Sequence, residues 1–276
     1  MAPPVRHDEV TVTCNDGMAL QAHLFVPATA NGRAVIVAPG TGIPCRFYFN
    51  FANYLAESGF AVLTWDWRGV AGNRPDSLRG FEATMLDWAT LDQPAMIDYL
   101  ARLGYRVSGI GHSFGAQVFG LADRAEQFDK LVLLAAGTAW WKLWPAPGRY
   151  VFRAAILAME TLARTVGYLP GKAMGLGEDI PRGVALQWFH WAKQPRYHGR
   201  WEGARAIRAP VLSLGFSDDT YAPPQPRRWL LDQYGGDKSF VTIVPQDAGL
   251  QHIGHLDFFR SRHRQSLWPY VLDFLD

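Results

Sequence analysis

The stretch "RVSGIGHSFGAQVFG" (residues 106–120) decides the fold. A strand-like run ends at His112, a serine follows, and a helix-forming segment opens at Phe114. Gly111-His112-Ser113-Phe114-Gly115 has the G-x-S-x-G spacing of a nucleophile elbow. There a serine sits on a sharp strand-to-helix turn with its Oγ exposed. The flanking glycines have no Cβ to collide with the folded-back chain, and the helix aims its positive N-terminal end at the serine oxygen. In a chain with 27 glycines the spacing alone arises easily by chance. Its position between a strand and a helix makes Ser113 the candidate nucleophile, against the plainer reading of a glycine-rich packing turn.

The rest of the chain supplies a frame for that turn. "EVTVTCNDGMALQAHLFVP" (9–27) reads as a β-hairpin around Asn-Asp-Gly. "RAVIVAPG" (33–40) and "FAVLTWD" (60–66) read as buried strands, and "DKLVLLAAG" (129–137), "APVLSLGFSDD" (209–219) and "SFVTIVPQ" (239–246) as three more strands. Helical spacing falls at 45–59, at 81–104 (kinked or divided by Pro94), at 114–128, and in a terminal stretch broken near Pro269. Alternating strands and helices predict an α/β fold with a mainly parallel, doubly wound sheet opened by an antiparallel hairpin. Residues 138–205 break the alternation and hold six of the eleven tryptophans. The expected organisation is a core of residues 1–137 and 206–276, with 138–205 as a helical cap over the C-terminal edge of the sheet, where open α/β sheets bind ligands.

A serine nucleophile needs a base and an acid, which follow in the order nucleophile, acid, base when an elbow carries the serine. Asp218 and Asp219 end one late strand, and His252 and His255 follow the last one. His255 is the candidate base, just before "LDFF". Asp218, three residues past Gly215, is the favoured acid; Asp219, four before Pro223, is the alternative. The carboxylate would fix the imidazole tautomer and stabilise the imidazolium. The tetrahedral intermediate needs two backbone donors, expected from Phe114 and from Thr41 in "APGTG". Phe47, Trp140, Trp141 and Trp188 are candidates for lining an apolar substrate pocket, although an aromatic stripe at helical spacing serves equally well as core. The amphipathic segment 149–169 carries three arginines and is expected to cover the site rather than to dock elsewhere. "GKAMGLG" (171–177) follows a helix rather than a strand and lacks the Gly-Lys-Ser/Thr ending of a phosphate loop.

Composition excludes other classes. Of 276 residues 49% are hydrophobic and 19% charged, with 27 basic against 25 acidic residues and no long run of one sign. Nothing suits nucleic acid. "MAPPVRHDEV" lacks the apolar region of a secretory signal, and no apolar run is long enough to span a bilayer. Cys14 and Cys45 suit neither a disulfide framework nor a metal site, so a reduced, cytoplasmic setting is expected. No metal, nucleotide, flavin or other cofactor is implied.

Taken together, the hairpin, "APGTG", "DWRGVAGN", "GHSFG", the insertion, "SDD" and "GH" resemble the α/β-hydrolase superfamily over nearly the whole chain. "LRGFEATMLDWATLD", "GEDIPRGVALQW" and "GHLDFFR" are similar to a poorly characterised bacterial branch related to serine aminopeptidase and lysophospholipase-like enzymes. The resemblance implies a serine hydrolase acting on a small-molecule acyl substrate, with "DWRG" shaping the loop beside the pocket. One departure is Pro39-Gly40, where the oxyanion loop often reads His-Gly. Ester hydrolysis is the leading expectation. A thioesterase, acyltransferase or peptidase would use the same triad, and a non-catalytic binding module would be expected to have lost part of it.

Overall fold

In the computed structural model, which describes residues 4–122 and 125–276, eight strands form one sheet. β1 (Val5–Thr13) and β2 (Ala19–Pro27) pair antiparallel around the Asn-Asp-Gly turn. β3 (Arg33–Ala38) leads through α1 (Phe49–Glu57) to β4 (Ala61–Trp65). α2 (Met85–Asp87), a π-helical turn Trp88–Asp92 and α3 (Gln93–Arg102) follow, then β5 (Arg106–His112), α4 (Phe114–Gln117) and β6 (Leu131–Leu134). Residues 138–205 contain α5 (Gly148–Val166), the two-residue strands β7 (Tyr168–Leu169) and β8 (Ile180–Pro181), and α6 (Arg182–Ala192); α7 (Glu202–Ala206) leads back to the sheet. β9 (Val211–Phe216), α8 (Pro224–Leu231), β10 (Lys238–Ile243) and α9 (Pro269–Leu275) complete the chain. The strand order is β1-β2-β4-β3-β5-β6-β9-β10, parallel except at β1–β2 and β2–β4.

The apolar strand runs follow from burial on both faces. In β3, Ala34, Ile36 and Ala38 join one core with α3, while Val35 and Val37 join the other with α1 and α9. The sheet switches direction of growth between β3 and β5, and the loops there and after β9 and β10 meet at one edge.

Three helices differ from expectation. The helix expected over 114–128 gives only α4 and two short 3-10 turns, with Asp123 and Arg124 outside the described residues. Gly120 meets α7 backbone to backbone: a Cβ on Gly203 would lie 2.1 Å from the Gly120 oxygen. The helix expected over 81–104 starts at Thr84, where a capping box with Asp87 nucleates it. Its π turn then absorbs Pro94, which has no N–H to donate. The last helix begins at Pro269 rather than breaking there. Among the described residues no helix is long and apolar enough to cross a membrane.

Candidate active site

The elbow is built by sterics. Ser113 has φ +52° and ψ −117°, a conformation that a residue with a Cβ adopts only under constraint. Its N–H donates to Leu134 O (3.0 Å) and its carbonyl accepts from Ala116 N (3.2 Å), which pins the turn to β6 and α4. A Cβ on Gly111 would fall 2.4 Å from the Ala116 backbone, and one on Gly115 would fall 2.2 Å from Ala38 O. Only glycine lets α4 press against the end of β3, and this contact brings the serine beside the loop that contains Thr41.

Asp219, not the expected Asp218, is the carboxylate paired with His255. His255 Nδ1 lies 2.8 Å from Asp219 Oδ2, and the Asp219 side chain is fully buried. The other Asp219 oxygen accepts from Tyr221 N (2.8 Å) and Ala222 N (3.1 Å). With a carboxylate on Nδ1, that nitrogen carries the proton and Nε2 is left as acceptor. Asp218 turns the other way. It accepts from Ile253 N (2.9 Å) and Gly254 N (3.1 Å) and contacts His252 Nδ1 (2.6 Å). Partial burial pushes the Asp218 carboxyl up, but these amide N–H groups and His252 outweigh it and hold the group below the ordinary carboxylate range. Both aspartates therefore act on the His255 loop, Asp218 through its backbone and Asp219 through the ring. His255 and Ser113 line the same cavity. They are not hydrogen-bonded to each other among the described residues, and such pairs commonly tighten only when substrate seats.

A buried chain of hydrogen bonds, which the sequence reading did not assign, ties the Thr41 loop to the His255 loop. The Gly40 N–H donates to Tyr48 Oη (2.9 Å), and Tyr48 Oη lies 2.8 Å from His112 Nδ1. His112 Nε2 lies 3.0 Å from His255 O. The network assigns the proton positions: Tyr48 donates to Nδ1, and His112 Nε2–H donates to the His255 carbonyl. Burial, reinforced by the nearby His255, holds His112 well below its usual range, so it stays neutral. Tyr48 occupies the Gly40 N–H, which leaves Thr41 as the next donor along that loop.

Residues 171–181 strap this loop from the other side. Glu178 N donates to Gly42 O (2.7 Å), and a Cβ on Gly177 would sit 2.4 Å from the same oxygen. Glu178 pairs with Lys172 (2.7 Å), and Asp179 with Arg74 (3.2 Å) and the Lys172 N–H (3.1 Å). Lys172 is thus bound to carboxylates of its own strap. In "DWRG", Asp66 accepts from Cys45 N (2.7 Å) and Gly72 N (3.0 Å), and Arg68 contacts Asp92 and Asp16 at 2.6 Å each. These contacts brace the loops around the site.

Ser113 and His255 open onto a cavity of about 790 Å³. Trp188 lines it, as do Trp144, Phe152 and Tyr221. Phe47, Trp140 and Trp141 do not. Phe47 packs edge-on against Tyr48 and Phe259 under Arg260. Trp141, half-buried against the core, has Arg153 and Lys142 over its ring, and the Trp140 N–H donates to the Thr138 hydroxyl beside the cavity-lining Gly137 and Ala139. Gln117 forms part of the cavity wall, fixed by Tyr197 Oη and by the Gly137 carbonyl. Among the described lining residues, Asp219 is the only carboxylate and His255 the only imidazole, and none is lysine or arginine.

Comparison with known proteins bears on the fold and the family. A search of curated proteins gives no match. Among solved structures, the chain is similar to DcsB in complex with its substrate analogue (16% identity, 98% of this chain and 99% of that one, TM-score 0.69). It is similar to Est1E from Butyrivibrio proteoclasticus with ferulic acid bound (20%, 96% and 97%, 0.63). It is also similar to a thermophilic esterase from Thermogutta terrifontis with malate bound (17%, 97% and 98%, 0.64). At these identities the likeness is one of fold. The profile of the Alpha/beta hydrolase family matches residues 35–265, and the chain belongs to that family.

Proposed function

We propose that the protein is a serine hydrolase that cleaves a carboxylic ester of an apolar or aromatic small molecule through an acyl-serine intermediate. The observation that carries this reading is the strained Ser113 facing the same cavity as an imidazole oriented by a buried carboxylate. Ser113 Oγ attacks the ester carbonyl while His255 Nε2 takes its proton, and Asp219 stabilises the imidazolium. The N–H groups of Thr41 and Phe114 receive the oxyanion, a contribution of about 3–4 kcal/mol per donor in comparable sites. His255 then protonates the departing alcohol. It next activates the water that releases the acid and frees Ser113.

In this reading residues 138–205 cap the core and shape specificity. A cavity without lysine or arginine, walled by Trp144, Phe152, Trp188 and Tyr221, favours an uncharged acyl or aryl group. The test is fluorophosphonate labelling with peptide mapping, alongside turnover of p-nitrophenyl esters from acetate to decanoate. Label on Ser113 that is lost in Ser113→Ala, with an optimum above acetate, is the expected result. A folded protein that neither labels nor turns over any ester would overturn the proposal.

A further inference from the structure

The charge of the chain is unevenly distributed. Residues 138–205 carry ten Lys and Arg against four Asp and Glu, hence +6; the whole chain is +2, which leaves −4 on the rest. The same segment, a quarter of the chain, holds five of the ten large hydrophobic residues most exposed among those described: Tyr150, Val151, Leu157, Met174 and Leu176. A sixth, Tyr221, stands with Val151 at the cavity.

The arrangement on α5 explains the coincidence. Phe152, Ile156, Met159 and Ala163 pack inward. Tyr150, Val151, Ala154, Leu157 and Ala158 are all exposed and recur at i, i+1, i+4, i+7 and i+8, so they form a second apolar stripe on the outer face. Tyr150 is 61% and Val151 70% exposed. Cations flank the start of the stripe. Arg153 and Lys142 lie over the Trp141 ring at 4.7 and 5.7 Å, and Arg149 over Tyr150 at 5.6 Å. Among the described residues none of the three is paired with a carboxylate.

We propose that the outer face of α5, with Lys142, Arg149 and Arg153, docks the protein on an anionic lipid surface and holds the mouth of the cavity against it. The features are those of an interfacial helix: an exposed apolar stripe of modest depth, flanked by basic and aromatic side chains. Charge complementarity selects the occupant. An anionic plane attracts the +6 segment and repels the −4 remainder, so it orients the molecule as well as holding it. A second copy seated on the same face by two-fold symmetry would bring like charges together. Docking is independent of ester hydrolysis and goes beyond it.

The experiment is vesicle flotation of the Ser113→Ala protein, which separates docking from turnover. Vesicles of phosphatidylcholine alone are compared with vesicles doped with phosphatidylglycerol. Three cations near the surface are expected to raise partition onto the anionic vesicles on the order of a hundredfold at low salt, with loss as salt rises. Lys142→Glu/Arg153→Glu should reduce it at least tenfold, and Leu157→Glu should weaken it too. Arg102→Glu, exposed at the far end of the sheet, should leave it unchanged. Circular dichroism verifies that each variant is folded. The proposal is overturned by equal partition onto both vesicle types, by none onto either, or by equal effects of Arg102→Glu and the double reversal. Binding only to an acidic protein would overturn it as well.

Discussion

Replacing each of the neighbouring aspartates by asparagine separates their roles. In Asp219→Asn the amide oxygen can still accept from Tyr221 N and Ala222 N, so the side chain keeps its place. The amide NH₂ then faces His255 Nδ1 and donates to it. That forces the imidazole proton onto Nε2, towards the serine, and the base can no longer accept. A tautomer inverted in this way costs about 10⁴ in kcat, or about 5.5 kcal/mol of transition-state stabilisation. Asp218→Asn keeps one acceptor for the Ile253 or Gly254 N–H and turns a donor towards the other. The His255 loop loosens without changing tautomer, and about tenfold in kcat is expected, or about 1.4 kcal/mol. The assay is kcat and KM on the best p-nitrophenyl ester, with Ser113 labelling rates as a second readout. If Asp218→Asn abolishes turnover and Asp219→Asn stays within about tenfold of the parent, the 2.8 Å pair is structural and the reasoning fails.

Three further outcomes follow from the same geometry. Tyr48→Phe strands the Gly40 N–H and His112 Nδ1 without partners, and should destabilise the fold by about 2–5 kcal/mol in urea unfolding while lowering kcat more than it raises KM; unchanged stability would show that the chain of bonds is not intact in solution. Gly115→Ala must displace backbone at Ala38 and should cost about 3 kcal/mol or more, whereas Gly249→Ala, at φ +71° in open space, should cost about 1 kcal/mol; similar losses at the two sites would contradict the packing argument. His112 is neutral when folded but free to protonate when unfolded, so below about pH 6.5 the unfolded chain binds the extra proton and stability falls as pH falls. The stability gap between parent and His112→Gln should narrow by about 1.4 kcal/mol between about pH 7.5 and about 5.5, and a gap that does not change with pH would remove His112 as the cause.

What was legible in the sequence was what local sterics and alternation dictate. Gly111, Ser113 and Gly115 interact within one turn, so their spacing carries the elbow by itself. The strand runs were readable because both faces of β3 and β4 are buried. Other features depend on contacts between distant segments. Asp218 and Asp219 differ by one position, and the choice rests on which backbone amides the turn to Ala222 and the 252–254 loop present. Helical spacing does not fix the directions of the tryptophans: Trp188, as expected, faces the cavity with Trp144, while Trp140 and Trp141, expected there too, do not. The close approach of Gly120 to α7 was hidden for the same reason, since the segment it meets is distant in the chain.

The links from Gly40 through Tyr48 and His112 to the His255 carbonyl have a mechanical consequence. The Thr41 loop and the His255 loop leave different strands and would otherwise fluctuate independently, each adding its own error to the distance between the groups that meet at the substrate in the proposed mechanism. A strut between them makes those displacements correlated. The whole edge of the sheet can then breathe while the separation of the Thr41 N–H from the His255 ring changes little. Catalysis is sensitive to that separation rather than to either absolute position, so a side chain that never touches substrate sets the tolerance to which the site is held.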